Sequence, residues 1–237
     1  MLVNSRICLT GMSGTGKGTI IDRLAAYAGH MAGLNAPIPK VSMRTQLCRP
    51  VPELIAMGIP AEDAPGVRAQ VEAGILLKQH IVVPAMCAAL DQPEFRDNWI
   101  IDGSPRSAWS IDILENRVNN PTTVIIFTAD KDEIRRRARE RFVDDTGESF
   151  SVAIHKIDPE NPRHPVTNLP LKRRPDDDAE RLEFRFAEYE RTIAQTIDTY
   201  RKIKRPGLRF IDIDTTSLTP DEVFETLISK LYGQTLL

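Results

Sequence analysis

Nine consecutive residues, Gly11-Met12-Ser13-Gly14-Thr15-Gly16-Lys17-Gly18-Thr19, combine glycines, a lysine and hydroxyls between an apolar run and a segment of helical spacing. A strand that turns through glycines into a helix aims several backbone N–H groups, and the positive end of the helix dipole, at one point. That point attracts a phosphate. Gly11, Gly14 and Gly16 let the backbone curl, Lys17 brings a mobile ammonium to the β and γ phosphates of a triphosphate, and Thr19 adds a hydroxyl. A glycine-rich turn with an incidental lysine would not also show this strand, spacing and following helix. The expected chemistry is binding of ATP along Gly14 to Thr19 and transfer of its terminal phosphoryl group.

A second group lies at Trp99-Ile100-Ile101-Asp102-Gly103-Ser104-Pro105-Arg106. An aspartate at the carboxyl end of a parallel strand beside a phosphate loop can hold Mg2+ through water, and Asp102 is placed for this. Gly103 permits close approach of backbone to ligand, and Arg106 offers a fork matched to a phosphate. Phosphoryl transfer asks the protein for electrostatic stabilisation more than covalent chemistry, so further arginines should converge on the same place. Arg135-Arg136-Arg137-Ala138-Arg139-Glu140-Arg141 is one source, with Arg137 and Arg141 four apart on one face of an expected helix. A solvated basic face accounts for at least three of these five arginines. Arg174 and Arg185 are the other source. His30, His80, His155 and His164 show neither metal-ligand spacing nor a general-base partner pattern.

Gly16-Lys17-Gly18-Thr19 departs from the general loop pattern, which puts Ser or Thr straight after the lysine, and has the form found in the adenylate kinase family, which the sequence resembles here. Ser13 stands where that family usually has proline. The run Trp99 to Arg106 is similar to the family's apolar strand ending in Asp-Gly-aromatic-Pro-Arg, with Ser104 for the aromatic. Val166-Thr167, Arg174, Asp176-Asp177, Arg185 and Glu188-Tyr189 match without a gap the segment that leaves the family's lid. The resemblance implies a nucleoside monophosphate kinase using ATP and Mg2+, with AMP as the leading acceptor (ATP + AMP = 2 ADP). It implies catalytic roles for Lys17, Arg106, Arg174, Arg185 and a lid arginine, Arg141 with Arg137 as its partner. Counting back from Gly147 without a gap gives Arg136 and Glu140 instead, so both registers stay open. Arg174 would bridge the phosphates of the two nucleotides.

The acceptor side carries the departures. Gly74-Ile75-Leu76-Leu77 is similar to the strip on which the family seats the acceptor base, which implicates Leu76. In Ser42-Met43-Arg44-Thr45-Gln46-Leu47-Cys48-Arg49 the family's threonine has become Met43, and its arginine falls at Cys48 unless a one-residue shift brings in Arg49. Ser110 replaces the glutamine that pairs with the acceptor adenine. A lost amide matters because hydrogen-bonded readout discriminates far better than shape. UMP, CMP or another small metabolite therefore stay open as acceptors. A catalytically silent nucleotide-binding regulator is a third reading, opposed by the presence of Lys17, Arg106, Arg174 and Arg185. The lid segment has no cysteine, so no lid metal is expected.

Holding these residues together requires a sheet. Apolar runs of strand length at Arg6 to Leu9, Trp99 to Ile101, Val124 to Phe127 and Leu208 to Ile213 alternate with helical patterns, which predicts an α/β fold, a P-loop NTPase-type parallel sheet wrapped by helices. Two segments break that rhythm. Residues 42–76, interrupted at Pro50, Pro52, Pro60 and Pro65, read as a small helical NMP-binding insertion, and 142–175, rich in Asp, Pro and Asn, as a lid. Their closure would expel water before transfer. Pro175-Asp176-Asp177-Asp178 predicts a helix start, continued by the stripe Leu182, Phe186, Tyr189, Ile193, Ile197 and Tyr200, and Thr219-Pro220-Asp221-Glu222 predicts a capping box.

With 237 residues, 31 Lys plus Arg and 33 Asp plus Glu, the chain can bury a large core and lacks the basic footprint of a nucleic-acid binder. Three separated cysteines, Cys8, Cys48 and Cys87, indicate neither a disulfide framework nor a zinc site. No apolar stretch approaches membrane-spanning length and no leader pattern is visible. The expectation is a soluble, cytoplasmic monomer that binds small nucleotides and neither nucleic acid nor membrane.

Overall fold

A computed structural model describes residues 4–73, 75–145, 148–174 and 177–233. Gly74, Gly147, Pro175 and Asp176, which the sequence reading used, lie outside the described residues.

Five strands form a parallel sheet: β1 (Arg6–Gly11), β2 (Lys40–Ser42), β3 (Trp99–Asp102), β4 (Thr123–Thr128) and β8 (Arg209–Asp214), in the order β2-β3-β1-β4-β8. β1 is central, and the chain leaves it first towards β2 and β3, then crosses to β4. Such a reversal opens a crevice beyond the carboxyl ends of the strands, where ligands of open α/β sheets bind. The register lines those ends up, with Leu9 and Ser42 both opposite Asp102, Gly11 opposite Phe127 and Thr128 opposite Asp214.

Alternation along the strands builds two cores. Ile7, Leu9, Ile125 and Phe127 face α1 (Lys17–Met31) and α11 (Pro220–Tyr232), while Cys8, Val124 and Ile126 face the opposite layer of α5 (Gln79–Leu90), α6 (Ala108–Glu115) and α10 (Gln195–Arg201). The capping box at Thr219 is present, Thr219 Oγ1 accepting from Glu222 N at 3.3 Å and Glu222 Oε2 from Thr219 N at 2.8 Å.

Residues 43–72 form three short helices, α2 (Met43–Leu47), α3 (Val51–Ala56) and α4 (Ala64–Glu72), separated near the prolines. After β4, α7 (Lys131–Arg139) leads into a small antiparallel sheet of β5 (Arg141–Val143), β6 (Ser149–Ser151) and β7 (Lys172–Arg173), with α8 (Val152–His155) following β6. Phe142, Phe150, Ile157 and Leu171 give this sheet its own apolar cluster. The stripe expected from Leu182 to Tyr200 runs through α9 (Ala179–Glu188), a π-helical turn (Tyr189–Ala194) and α10.

Three local features add to what the sequence predicts. β2 has a single apolar residue, Val41, too little to mark an edge strand in sequence. β6 ends at Ser151, whose side chain accepts from Ile154 N and caps α8. Finally, α9 begins at Ala179, capped by Asp178 Oδ1 accepting from Glu180 N at 3.0 Å, while Asp177 of the same acidic run also makes an ion pair with Arg141.

Candidate active site

The loop after β1 closes onto α1, a 15-residue helix whose N-cap, Gly16, has no side-chain cap. In its first turn Thr19 N donates to Gly16 O at 3.1 Å, and an uncapped helix start of this kind favours an anion. Gly14 has φ +88°, and a Cβ there would lie 2.6 Å from Ile134 Cγ2, so only glycine lets the loop pack against α7. Lys17 is buried over the loop, Nζ donating to Gly11 O at 3.0 Å, Met12 O at 2.8 Å and Thr15 Oγ1 at 3.3 Å. Thr15 is itself buried, donating to Met12 O at 2.8 Å, whereas Gly18 and Thr19 are exposed at the helix entrance. Burial lowers the Lys17 ammonium to about 8; Asp102 opposes that shift, and Arg106, Arg185 and Arg141 reinforce it. One aspartate and three arginines thus act on this lysine from β3, the turn after β3, α9 and β5.

Gly103, at φ +84°, makes room for one of those arginines: a Cβ would sit 3.2 Å from Arg106 Nη2. Arg106 keeps a solvent-accessible face to the crevice although protein packs densely around it, and this desolvation lowers its pKa, with Asp102 opposing and Arg44 adding to the effect. Asp102 Oδ1 is buried with no hydrogen-bond partner among the described residues. Arg185 donates to Ser13 Oγ, tying α9 to the phosphate loop.

The two registers left open for the lid arginines separate clearly. Arg136 and Glu140 pair with each other at 2.7 Å on the surface, Arg136 also binding Glu133. Arg141 and Arg137 turn inwards, but they do not share a helix, because α7 ends at Arg139 and Arg141 opens β5, where the Phe142–Phe150 pairing competes successfully with helical propagation. Arg141 makes a two-point ion pair with Asp177, Nε to Oδ2 at 2.7 Å and Nη2 to Oδ1, the aspartate side chain being 4% exposed. Arg137 is held by Glu133 Oε1 at 2.7 Å and by Thr215 Oγ1 at 3.0 Å and Thr215 O. Hydrogen bonds from Arg136 and Arg137 lower Glu133 to about 2 against its burial. Arg174 lies just beyond β7, between that strand and α9.

Comparison with known proteins completes this picture. No family model matches the chain. The adenylate kinase of Rhizobium etli (strain CIAT 652) is 28% identical over 238 residues, covering 95% of this chain and 100% of that protein. A second Rhizobium etli adenylate kinase (strain ATCC 51251) is 29% identical over 236 residues, with 95% and 100% covered, and that of Coxiella burnetii (strain RSA 493) is 25% identical over 202 residues, with 85% and 81% covered. Along nearly its whole length the chain is similar to adenylate kinases. It is a phosphotransferase.

The residues expected to face an acceptor do not all reach the crevice. Met43 is buried among Leu47 and Leu54 in the core, and Arg49 turns outwards to Glu53 at 3.1 Å. The positive charge that acts on Arg106 comes from Arg44, one helical turn before Cys48. Leu76 is half-buried against the core. Ser110 is spent on backbone: its Oγ accepts from Arg106 N and Ser107 N, both at 3.1 Å, and donates to Ser107 O at 2.6 Å, making the capping box of α6. A serine three residues after a serine at a helix start is a legible cap signal that the comparison with a glutamine obscured.

The segment around the small antiparallel sheet also gathers Asp144, Glu148 and His164, whose potential ligand atoms lie within 4.8 Å of one another, a cluster that their sequence spacing did not announce. His164 Nδ1 accepts from Val166 N and Thr167 N, each at 3.1 Å. In a neutral ring the proton then sits on Nε2, which leaves no lone pair for a cation. Asp177, Ser13, Arg44 and Thr215 were missed in the sequence. Asp177 sat in an acidic run that reads as a helix start, Ser13 and Arg44 lay inside the motifs without a role of their own, and Thr215 lacks any periodic or motif signal.

Proposed function

We propose that this enzyme is a nucleoside monophosphate kinase that transfers the γ-phosphoryl group of ATP to AMP, giving two ADP. The observation that carries the reading is the convergence of Arg106, Arg141 and Arg185 with Asp102 on Lys17, at the carboxyl edge of the sheet. Five charged groups from separate elements, four of them positive, suit a transferring phosphoryl flanked by two nucleotides. ATP phosphates would lie on the N–H groups of Gly14 to Thr19, with Lys17 following the γ phosphate. Arg137, its N–H edge held by Glu133 and Thr215, would offer its flat face to the donor base.

On the other side, Arg106, Arg174 and Arg185 would bind the acceptor phosphate and the group in transit, with Arg44 close by. Arg141, oriented by Asp177, would meet charge that develops during transfer. The orphaned Asp102 Oδ1 fits a water of hydrated Mg2+, which when bound neutralises the triphosphate and orients its outer oxygens. Residues 42–76 and 142–175 would close over the two nucleotides, excluding water that would otherwise take the phosphoryl group.

Occupation of Ser110 by its own helix cap supports a second reading, in which UMP or CMP is accepted alongside AMP. The reading also takes the protein as a cytoplasmic monomer; its three cysteines are free, and no helix among the described residues is long and apolar enough to cross a membrane. Following diphosphate formation from ATP with AMP, UMP, CMP and GMP in turn tests it. AMP should give the highest kcat/KM, and inactivity with all four would sink the reading.

A further inference from the structure

We propose that Thr215 is a positioning residue of the donor subsite, whose side chain locks the donor-base platform and the phosphate loop into one register. The inference rests on the kinase reading above, since it takes Gly14 to Thr19 and Arg137 as the donor's neighbours. Thr215 lies in the turn after β8 and is 1% exposed. Its Oγ1 stands 3.0 Å from Arg137 Nη1, 3.1 Å from Thr15 O and 3.1 Å from Thr128 O. Arg137 can only donate, so the hydroxyl accepts there and has one proton left. Both carbonyls lie within its reach; Thr128 O also accepts from Thr215 N at 2.9 Å, and we assign the hydroxyl proton to Thr15 O, to which Thr215 N does not donate.

The chain of bonds therefore runs from the Glu133 carboxylate through the Arg137 guanidinium and the Thr215 hydroxyl to the carbonyl of the phosphate loop, each donor polarised by the charge behind it. Its end point matters. In a planar trans peptide the carbonyl and the following N–H point in opposite directions. Holding Thr15 O towards Thr215 thus aims the Gly16 N–H away from it, to the ligand side of the loop. Beside Glu133 and the Thr215 carbonyl, which also hold Arg137, the buried hydroxyl couples the plane on which a purine would stack to the direction of an N–H donor that would meet the phosphates.

Thr215→Val keeps the shape and removes both bonds; Thr215→Ser keeps both. With the full-length enzyme and Mg2+, Thr215→Val should raise the ATP KM by about tenfold, the value of a charge-assisted hydrogen bond, with kcat and the acceptor KM changed less than about threefold. Thr215→Ser should stay within about twofold of the parent. Isothermal titration should show the same tenfold loss in ATP Kd, a readout that survives even if no acceptor is turned over, so a failed kinase reading and a failed Thr215 assignment remain distinct. Thr215→Ala, scored identically, decides the matter if the valine variant does not fold. Unchanged ATP KM and Kd in the valine or alanine variant would overturn the proposal, as would an equal loss in donor and acceptor parameters, which marks a general structural defect.

Discussion

Replacing Asp177 by asparagine isolates what the buried ion pair does for Arg141. The aspartate side chain is 4% exposed and the arginine 18%, and they meet through two hydrogen bonds. Removing one partner of such a pair costs about 3–5 kcal/mol; asparagine keeps the shape and one acceptor, so roughly 2 kcal/mol is the fitting magnitude. If that energy serves to hold Arg141 against the group in transit, it appears in the transition state, and kcat should fall by about 30-fold. Both nucleotide KM values should move less than about threefold, because ground-state phosphate binding is shared among other cations. The melting temperature should drop by about 4–8 °C, the shift expected of 2 kcal/mol in a chain of this size. Steady-state diphosphate formation and thermal unfolding measure the two effects, and Arg141→Met with Asp177→Asn completes a double-mutant cycle. The double variant should be no slower than Arg141→Met alone. Full kcat in Asp177→Asn, or multiplicative losses in the double variant, would refute the idea that the aspartate acts through the arginine.

Lys17 gives a pH signature: burial sets it at about 8, below its ordinary 10.5, so between those values the unfolded chain holds more protons than the folded one and stability rises with pH. The gain reaches roughly 3 kcal/mol, read as the difference in urea unfolding between the parent and Lys17→Met at pH 7.5 and 10.5; a difference independent of pH contradicts the burial argument. At the acceptor, Arg44→Met should raise the monophosphate KM by about 10- to 100-fold while Arg49→Met, whose residue faces Glu53, leaves it within about twofold; the reverse order would exchange their roles. Gly103→Ala forces a side chain into φ +84° and to 3.2 Å from Arg106, so the acceptor KM should rise and stability fall by about 1–2 kcal/mol; an unaltered KM would show that Arg106 need not lie over this glycine.

Residues whose role follows from backbone geometry were visible in the sequence. The glycines before Lys17, the strand runs of β1, β3, β4 and β8, the stripe of α9 and α10, and the cap at Thr219 all obey local rules of period and conformation. What stayed hidden depended on competition between local options. Arg137 and Arg141 look like one helical face until the Phe142–Phe150 pairing draws Arg141 into a strand. Asp177 looks like a helix-start acid until Arg141 claims it, and Ser110 looks like a shrunken base reader until the backbone of α6 takes its hydroxyl. Arg49 and Arg44 are equivalent by composition, and only the packing of Met43 and Leu47 into the core decides which one turns towards Arg106. β2 and Thr215 depend wholly on tertiary neighbours, a strand pairing and three oxygen and nitrogen atoms from distant elements.

The most direct measurement is 31P NMR of the purified enzyme with ATP, AMP and Mg2+, beside Lys17→Met and a sample with the metal chelated. The account predicts conversion of both nucleotides to ADP without release of inorganic phosphate, abolished in Lys17→Met and by chelation; ATP decay to phosphate with AMP untouched would contradict it.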